Sequence, residues 1–524
     1  MPFSVPGVYV SEAPFKARAT TRASGATAAA FIGKSLRGTV TEPVLVRSWP
    51  EYRAQYGDLD NSYDLGFALY QYFANGGRDA YVVRAYGSNS TAASATITYS
   101  RVPATGASAT GVLMTLDARN PGDWGNTANT AVGGGLICQV TAGSTLTPTS
   151  SPATTVATFN LRILVGGNTA TGTEVEFWPD LSPDPNSSRY APTILNTYSN
   201  YVRVRSGQVD IAPFVGATTG ALTFSSTGLF TGGSIQDADA DAAAYGRALD
   251  LLDTINDSLL INVVGKSDTT TVNLALTKAQ TRGTSFVIID PNPASTTTVA
   301  ISNAVASYSP KGWGAPYYGT LTMVDPSKSG IGAVRNTYPG GAVAGLYVRT
   351  EIERTVAKPP AGYNADIRNA LGTVLNLTEN DIGTLYNSGV NAFKAIPGAG
   401  VVVLGARTLE TSKPDKYISI RRSLNYVKQR SIEVTRFAVF EPNDQRLWNA
   451  INVRLGSMLT DFWGAGGLKG RSPGEAFFVV CDETVNTPAV IDSGEVRVQV
   501  GVALQYPGEF VVITISQLAG GISE

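Results

Sequence analysis

Leu259-Leu260-Ile261-Asn262-Val263-Val264 and Phe286-Val287-Ile288-Ile289 are two apolar runs of strand length, and the text between them predicts one helix, near Val272 to Arg282. Apolar strands separated by single helices belong to a parallel sheet covered on both faces. Downstream, a helix near Thr297 to Ser307 and a strand from Tyr317 to Met323 continue the alternation. Upstream, a helix opens on Asp237, Asp239 and Asp241 and buries Tyr245, Leu249, Leu252 and Ile255. Those acidic residues suit the positive end of a helix dipole.

Further out on the N-terminal side, Thr27-Ala28-Ala29-Ala30-Phe31-Ile32-Gly33 and Val44-Leu45-Val46 read as strands. Ser48 caps a helix that carries Tyr52 and Tyr56 and stops at Gly57. A second helix places Leu65, Leu69, Tyr72 and Phe73 on one face, ends at Asn75-Gly76-Gly77, and hands over to the strand Ala80 to Arg84. Between Ser88 and Gly172 the text changes. Only five residues are charged there (Arg101, Asp117, Arg119, Asp123, Arg162), about 6% against 15% for the whole chain. Runs such as Ala95 to Tyr99 and Phe159 to Val165 predict a β-rich insertion reaching about Gly233, because α/β text resumes after it.

From Lys413 onward 24 of 112 residues are charged, and two long helices are legible. One aligns Ile420, Leu424, Val427 and Val434; the other aligns Leu447, Ile451, Leu455, Leu459 and Phe462 and ends at Gly464-Ala465-Gly466-Gly467. Strands are expected at Arg436 to Phe440, Glu475 to Cys481, Glu495 to Val502 and Glu509 to Ser516. At the opposite end, Val8-Tyr9-Val10 is a strand pattern without a nearby hairpin partner, so its backbone groups need a host sheet.

A chain of 524 residues predicts three or four domains. Its 40 basic and 41 acidic residues leave a net charge of −1, without the basic excess that neutralises phosphates, so nucleic-acid binding is disfavoured. Zero histidines remove the usual general base, the commonest transition-metal ligand and every Ser-His-Asp device. Cys138 and Cys481 read as plain buried thiols. No apolar run approaches the roughly 18 residues that span a bilayer, so no stable membrane insertion is expected, and the reading is a soluble protein of a reducing cytoplasm.

Four short motifs imitate chemistry. Gly33-Lys34-Ser35 and Gly265-Lys266-Ser267 follow apolar strands, and Asp290 ends another, as in a P-loop-like NTPase. A phosphate loop needs glycine five positions earlier, where Ala28 and Leu260 stand inside the strands. Gly470-Arg471-Ser472-Pro473-Gly474 has the letters of a nucleophile elbow but leads to a strand, and reads as a surface turn. Asp237 to Asp241 imitates a calcium loop, yet Ala242 and Ala248 occupy its required glycine and glutamate positions. No cofactor and no metal site is expected.

In combination, several segments resemble the contractile tail sheath proteins of bacteriophages and related injection machines. They are Pro6-Gly7-Val8-Tyr9-Val10-Ser11-Glu12, Ala29-Ala30-Phe31-Ile32-Gly33, Phe73-Ala74-Asn75-Gly76-Gly77, Val343 to Thr350, Arg354 to Ala361, and Val403 to Leu409. The strongest are Tyr417 to Arg422, Phe440-Glu441-Pro442-Asn443-Asp444, Leu447-Trp448, Ala476 to Val479 with Cys481-Asp482, and Val500-Gly501-Val502-Ala503. The similarity covers roughly 1 to 88 and 234 to 517.

The resemblance implies an α/β and α+β multi-domain fold: a sheath core with an inserted β-rich domain and extended N- and C-terminal arms. The expected division is an exchange arm (1–24), a first core segment (25–88), an outer inserted domain (89–233), a second core segment (234–362), a C-terminal sheath domain (363–505) and an exchange strand with tail (506–524). Val8, Tyr9, Val10 and Phe510, Val511, Val512, Ile513, Thr514, Ile515 would be the exchanged strands, and Arg421, Arg422, Lys428 and Arg430 candidate tube-facing cations. It further implies a non-enzymatic subunit of a virion tail, assembled in the bacterial host cytoplasm. Its partners would be many copies of itself, a tail tube protein, and baseplate and tail terminator proteins. A non-contractile capsid or adhesin-type surface protein is the structural alternative.

Overall fold

The computed structural model describes residues 27–508 apart from 102–108, 129–134, 149–154, 167–170, 206–208, 210–213, 215–221, 225–227, 235–240, 329, 331 and 413–414. Strand β1 (Ala28–Gly33) is buried along its whole length. After β2 (Val44–Val46), the Ser48 hydroxyl accepts from Glu51 N and starts helix α1 (Trp49–Tyr56). Helix α2 (Asp64–Ala74) then leads to β3 (Ala80–Arg84).

The insertion follows as β4 (Ser94–Arg101), β5 (Ala109–Ala118), β6 (Leu136–Pro148), β7 (Thr155–Val165), β8 (Thr173–Leu181), helix α3 (Ala191–Tyr198), β9 (Val202–Val204), β10 (Leu222–Phe224) and β11 (Gly228–Leu229). These strands make two antiparallel sheets, ordered β10-β4-β5-β9 and β11-β6-β7-β8. They enclose a separate core that includes Ile97, Leu116, Phe159, Leu161 and Phe214. Entry and exit lie side by side, since Thr91 and Ser234 exchange both backbone hydrogen bonds, at 2.9 and 3.0 Å. The buried Arg84 donates to Ser35 O at 3.0 Å and to Pro121 O at 2.8 Å, which ties this excursion to the end of β3.

The core resumes with α4 (Ala242–Asp250), β12 (Leu259–Val263), α5 (Thr269–Arg282), β13 (Phe286–Ile289), α6 (Thr298–Ala306) and β14 (Gly314–Tyr318). Asp241, Asp268 and Thr297 cap the three helices through their side chains, as the acidic and hydroxyl residues before each apolar run lead one to expect. Then come β15 (Leu321–Val324), β16 (Val334–Thr337), α7 (Gly340–Arg354), β17 (Ala370–Thr373), α8 (Glu379–Asn387), β18 (Asn391–Ile396) and β19 (Gly400–Leu404). The last third holds α9 (Ile418–Thr435), α10 (Gln445–Gly464), α11 (Pro473–Ala476), β20 (Phe477–Val480) and β21 (Gln499–Val502).

The main sheet is ordered β19-β18-β14-β13-β12-β1-β3-β2. It is parallel from β18 to β3 and antiparallel only at its two edge strands. Alternate residues of β1 feed two different clusters, Ala29 and Phe31 with Tyr72 and Tyr347, and Ala30 and Ile32 with Leu249 and Leu276. The sheet is therefore covered on both faces.

Four predicted strands are corrected: Glu475 and Ala476 belong to α11 and only Phe477–Val480 is strand, only Gln499–Val502 of Glu495 to Val502 is strand, and two others differ more. Tyr317 to Met323 is not continuous: Gly319 adopts φ +108, so Tyr317 and Tyr318 stay in the main sheet while Leu321 starts a three-stranded sheet, β16-β15-β17. Arg436 to Phe440 is not a strand. Helix α9 runs to Thr435 and closes in a 3-10 turn at Arg436–Ala438, because β-forming side chains make a strand only where a partner strand is at hand.

Helices α2 and α7 cross at backbone distance. A Cβ on Gly341 would lie 2.1 Å from Ala68 O, and one on Gly345 would lie 2.5 Å from Tyr72 O. Gly341→Ala is therefore expected to lower stability by about 2–3 kcal/mol, as overpacking does. Gly383, exposed on α8 with nothing within 4 Å of its would-be Cβ, is the control. Gly383→Ala should gain about 0.5–1 kcal/mol. Chemical denaturation of both variants checks the pair, and equal signs would contradict the close helix crossing.

Candidate assembly surfaces

Strands β20 and β21 form a ribbon of their own, antiparallel, with Phe477 opposite Val502 and Val480 opposite Gln499. Its apolar side chains Phe477, Val479, Val500 and Val502 are only partly buried, against a cluster that contains Leu447, Ile451, Leu455, Leu459 and Phe462 of α10. A two-stranded ribbon is marginal alone, and its outer edges present backbone N–H and C=O groups that a further strand could take. The ribbon packs here because the helical cluster supplies the apolar face that it lacks. Among the described residues no third strand joins it. Val8, Tyr9, Val10 and Phe510, Val511, Val512, Ile513, Thr514, Ile515, the predicted exchange strands, lie outside the described residues.

The described chain begins at a clamp. Thr27 donates from its backbone N and from Oγ1 to Glu351 Oε1, both at 3.1 Å, and Arg422 Nη2 stands 2.5 Å from Glu351 Oε2. The side chains of Glu351 and Arg422 are 7% and 4% exposed. The Arg422 guanidinium also lies 4.8 Å over the Tyr347 ring, whose hydroxyl meets that of Tyr317 at 2.7 Å. Burial pushes both tyrosine hydroxyls well above their ordinary pKa.

This clamp counts against Arg421 and Arg422 as tube-facing cations. Arg421 and Arg422 are buried, Arg421 pairing with Asp415 and stacking 4.3 Å over Trp313. Helix α9 is covered on several sides: Asn425 Nδ2 donates to Ser285 O, Gln429 Nε2 donates to Asn256 O, and Tyr426 packs on Phe462 of α10. Lys428 and Arg430 are half-buried, Lys428 lying 5.8 Å over the Trp313 ring and Arg430 pairing with Glu433. Arg430 also lines a groove of about 320 Å³ with Thr27, Arg47, Asp79, Asp257 and Glu433. Sequence periodicity missed Glu351, Asn425 and Gln429, because it looks for apolar residues on the inward side. The available signal was an arginine pair between apolar positions that leave it no solvent-facing stripe.

The imitative motifs resolve into structural roles. Asp290, fully buried at the end of β13, accepts from Gly340 N at 2.8 Å, Gly265 N at 2.9 Å and Asn262 Nδ2 at 3.1 Å. Its carboxylate thus caps the start of α7 and the turn after β12, and burial still pushes its pKa up to about 6. Open α/β sheets hold ligands beyond the strand ends where chain order reverses, here between β1 and β12. That crevice is filled: a Cβ on Gly33 would meet Leu65 Cβ at 3.2 Å and Val264 Cβ at 3.5 Å. Ser472 precedes the short helix α11, and Asp241 caps α4. Both cysteines are free and buried, which raises their thiol pKa values to about 12 for Cys138 and about 11 for Cys481. Among the described residues no cluster of three or more potential metal ligands occurs, and no helix is long and apolar enough to cross a membrane.

Residues 410–517 match the family model of the phage tail sheath C-terminal domain. The tail sheath protein of Vibrio phage KVP40 is 30% identical over 158 residues, which is 30% of this chain and 22% of that protein. That of Enterobacteria phage T4 is 30% identical over 156 residues, 29% of this chain and 23% of that protein. The matched stretch thus spans less than a quarter of either relative. Among solved structures, a sheath tail protein from Listeria innocua aligns with TM-score 0.58 at 13% identity, covering 93% of this chain and 96% of that one. A chain of the anti-feeding prophage baseplate gives 0.55 at 17%, covering 98% and 99%. The sheath complex of an extracellular contractile injection system in its contracted state gives 0.54 at 18%, covering 99% of each. At these identities the structures share the fold, inserted domain included.

Proposed function

We propose that this chain, a member of the phage tail sheath family through its residues 410–517, is the repeating subunit of a contractile sheath that polymerises around a tail tube and shortens to drive the tube through a bacterial envelope. The observation that carries the reading is the β20–β21 ribbon, short of strands on a well-packed helical base. Strands lent by neighbouring copies, from 8–10 and 510–515, would complete it and satisfy its edges.

No catalysis is needed for such a device; bistability is. The extended array is a trapped assembly, and contraction releases it into one with more surface buried between copies. If contraction buried ~200 Å² more apolar surface per subunit, at about 25 cal/mol per Å², the drive would be on the order of 5 kcal/mol each. The Thr27 clamp gives that motion a fixed point, because a pull on the N-terminal segment reaches α7 and α9 through Glu351 and Arg422. Copies of itself, a tube, a baseplate and a tail terminator are the proposed partners, and the virion tail, built in the host cytoplasm, the proposed location. Of the four predicted tube-facing cations, Lys428 and Arg430 remain candidates. Arg421 and Arg422 do not, since buried paired guanidinium groups present little field to a partner.

Deleting residues 1–20 should leave a soluble folded monomer that no longer polymerises. Negative-stain images and sedimentation of the purified protein check this, hollow cylinders being expected for the full chain alone. Cylinders of normal length from the shortened chain would refute strand lending by this arm, and ATP turnover by the purified monomer would refute the mechanical reading.

A further inference from the structure

Phe440, 88% exposed, stands at the apex of the corner between α9 and α10 with its backbone in the left-handed region at φ +66. The corner itself is firmly held. Glu441 N bonds to Ala438 O, Asn443 Nδ2 donates to Glu495 O at 2.9 Å, Trp448 Nε1 donates to Asn443 Oδ1 at 2.8 Å, and Asp444 caps α10. Phe437, three residues earlier, is tucked 3.7 Å beneath the Arg454 guanidinium. One aromatic of this turn is therefore packed, and the other is presented.

Neither folding nor backbone preference accounts for phenylalanine at this position. A ring in water gains nothing from burial, and the left-handed conformation is disfavoured about tenfold for such a residue, whereas glycine and asparagine adopt it readily. We infer that Phe440 is an anchor that inserts into a second copy of this chain. This rests on the polymerising-subunit reading above. The corner and the β20–β21 ribbon belong to one packed unit, since Phe437 and Ala438 share their cluster with Phe477, Val479 and Val500. A copy that completes the ribbon is thereby brought against the unit that displays Phe440. A helical array is built from heterologous contacts, in which each copy must carry a projecting feature on one face and its receptor on another. A rigid aromatic on a preorganised corner fits the projecting role.

The test uses the full chain. Phe440→Asn relieves the backbone and removes the ring, so the monomer should melt at or above the parent temperature while the concentration needed for assembly rises about 30-fold, the scale of losing a strong interface anchor. Phe440→p-benzoylphenylalanine, irradiated in assembled material, should give a cross-linked species of twice the chain mass. Unchanged assembly of Phe440→Asn, a lower melting temperature for it, or cross-links only to another protein or to none would each overturn the anchor while leaving the subunit reading intact. A parent chain that stays monomeric at every concentration would overturn that reading, and the anchor with it.

Discussion

Glu351→Gln is expected to lower the folding free energy by about 3–5 kcal/mol, the cost of leaving a buried charge without its counter-ion. Arg422 is 4% exposed, and the carboxylate 2.5 Å away is its acidic partner. Thr27 Oγ1, at 3.3 Å from Arg422 Nη2, is a neutral acceptor and a poor replacement. Arg422→Met should cost a similar amount by stranding Glu351 in the same place. The double variant Glu351→Gln, Arg422→Met should recover most of the loss, because it leaves neither buried charge behind and desolvating the pair offsets much of its attraction. Urea denaturation of the four proteins closes the cycle. Additive losses would mean that the two side chains do not act as a pair.

Asp290→Ala is expected to cost about 3–5 kcal/mol, since it leaves Gly265 N, Gly340 N and Asn262 Nδ2 buried without their acceptor. The pH dependence runs opposite to that of most carboxylates. Burial holds the folded pKa at about 6, above the ordinary 3.8, so the folded chain binds this proton more tightly than the unfolded one. The resulting stabilisation, about 3 kcal/mol, is complete below about pH 4 and is lost as the pH rises through about 6. Comparing parent and Asp290→Asn between pH 4 and 7 isolates it. The parent should lose stability relative to the variant across that window, and parallel curves would rule the carboxylate out.

Strands β1, β2, β3, β12 and β13 of the main sheet were legible because they are largely apolar and their neighbouring helices start on Ser48, Asp241 and Thr297, whereas β18, with Asn391 and Lys394 in its run, and β19 were not. Errors arose where local text and tertiary context diverge. Valine and phenylalanine after Thr435 read as strand, yet the helix simply closes there. Of the run Glu495 to Val502 only Gln499–Val502 pairs, since β20 is four residues long. The arginines of α9 mislead for a related reason: positive charge suggests solvent, and only the fold reveals that Glu351, far away in sequence, meets Arg422 inside.

The paired Thr91 and Ser234, with the Arg84–Pro121 bond beside them, hang the inserted sheets from one end like a pendant. Such a pendant can be lengthened, trimmed or exchanged without altering the spacing of the two residues that carry it, so drift in this region leaves the rest of the subunit untouched. The same attachment would serve as a display position. A foreign module whose own ends lie close together, spliced between Thr91 and Ser234, would be repeated once per subunit along the proposed cylinder.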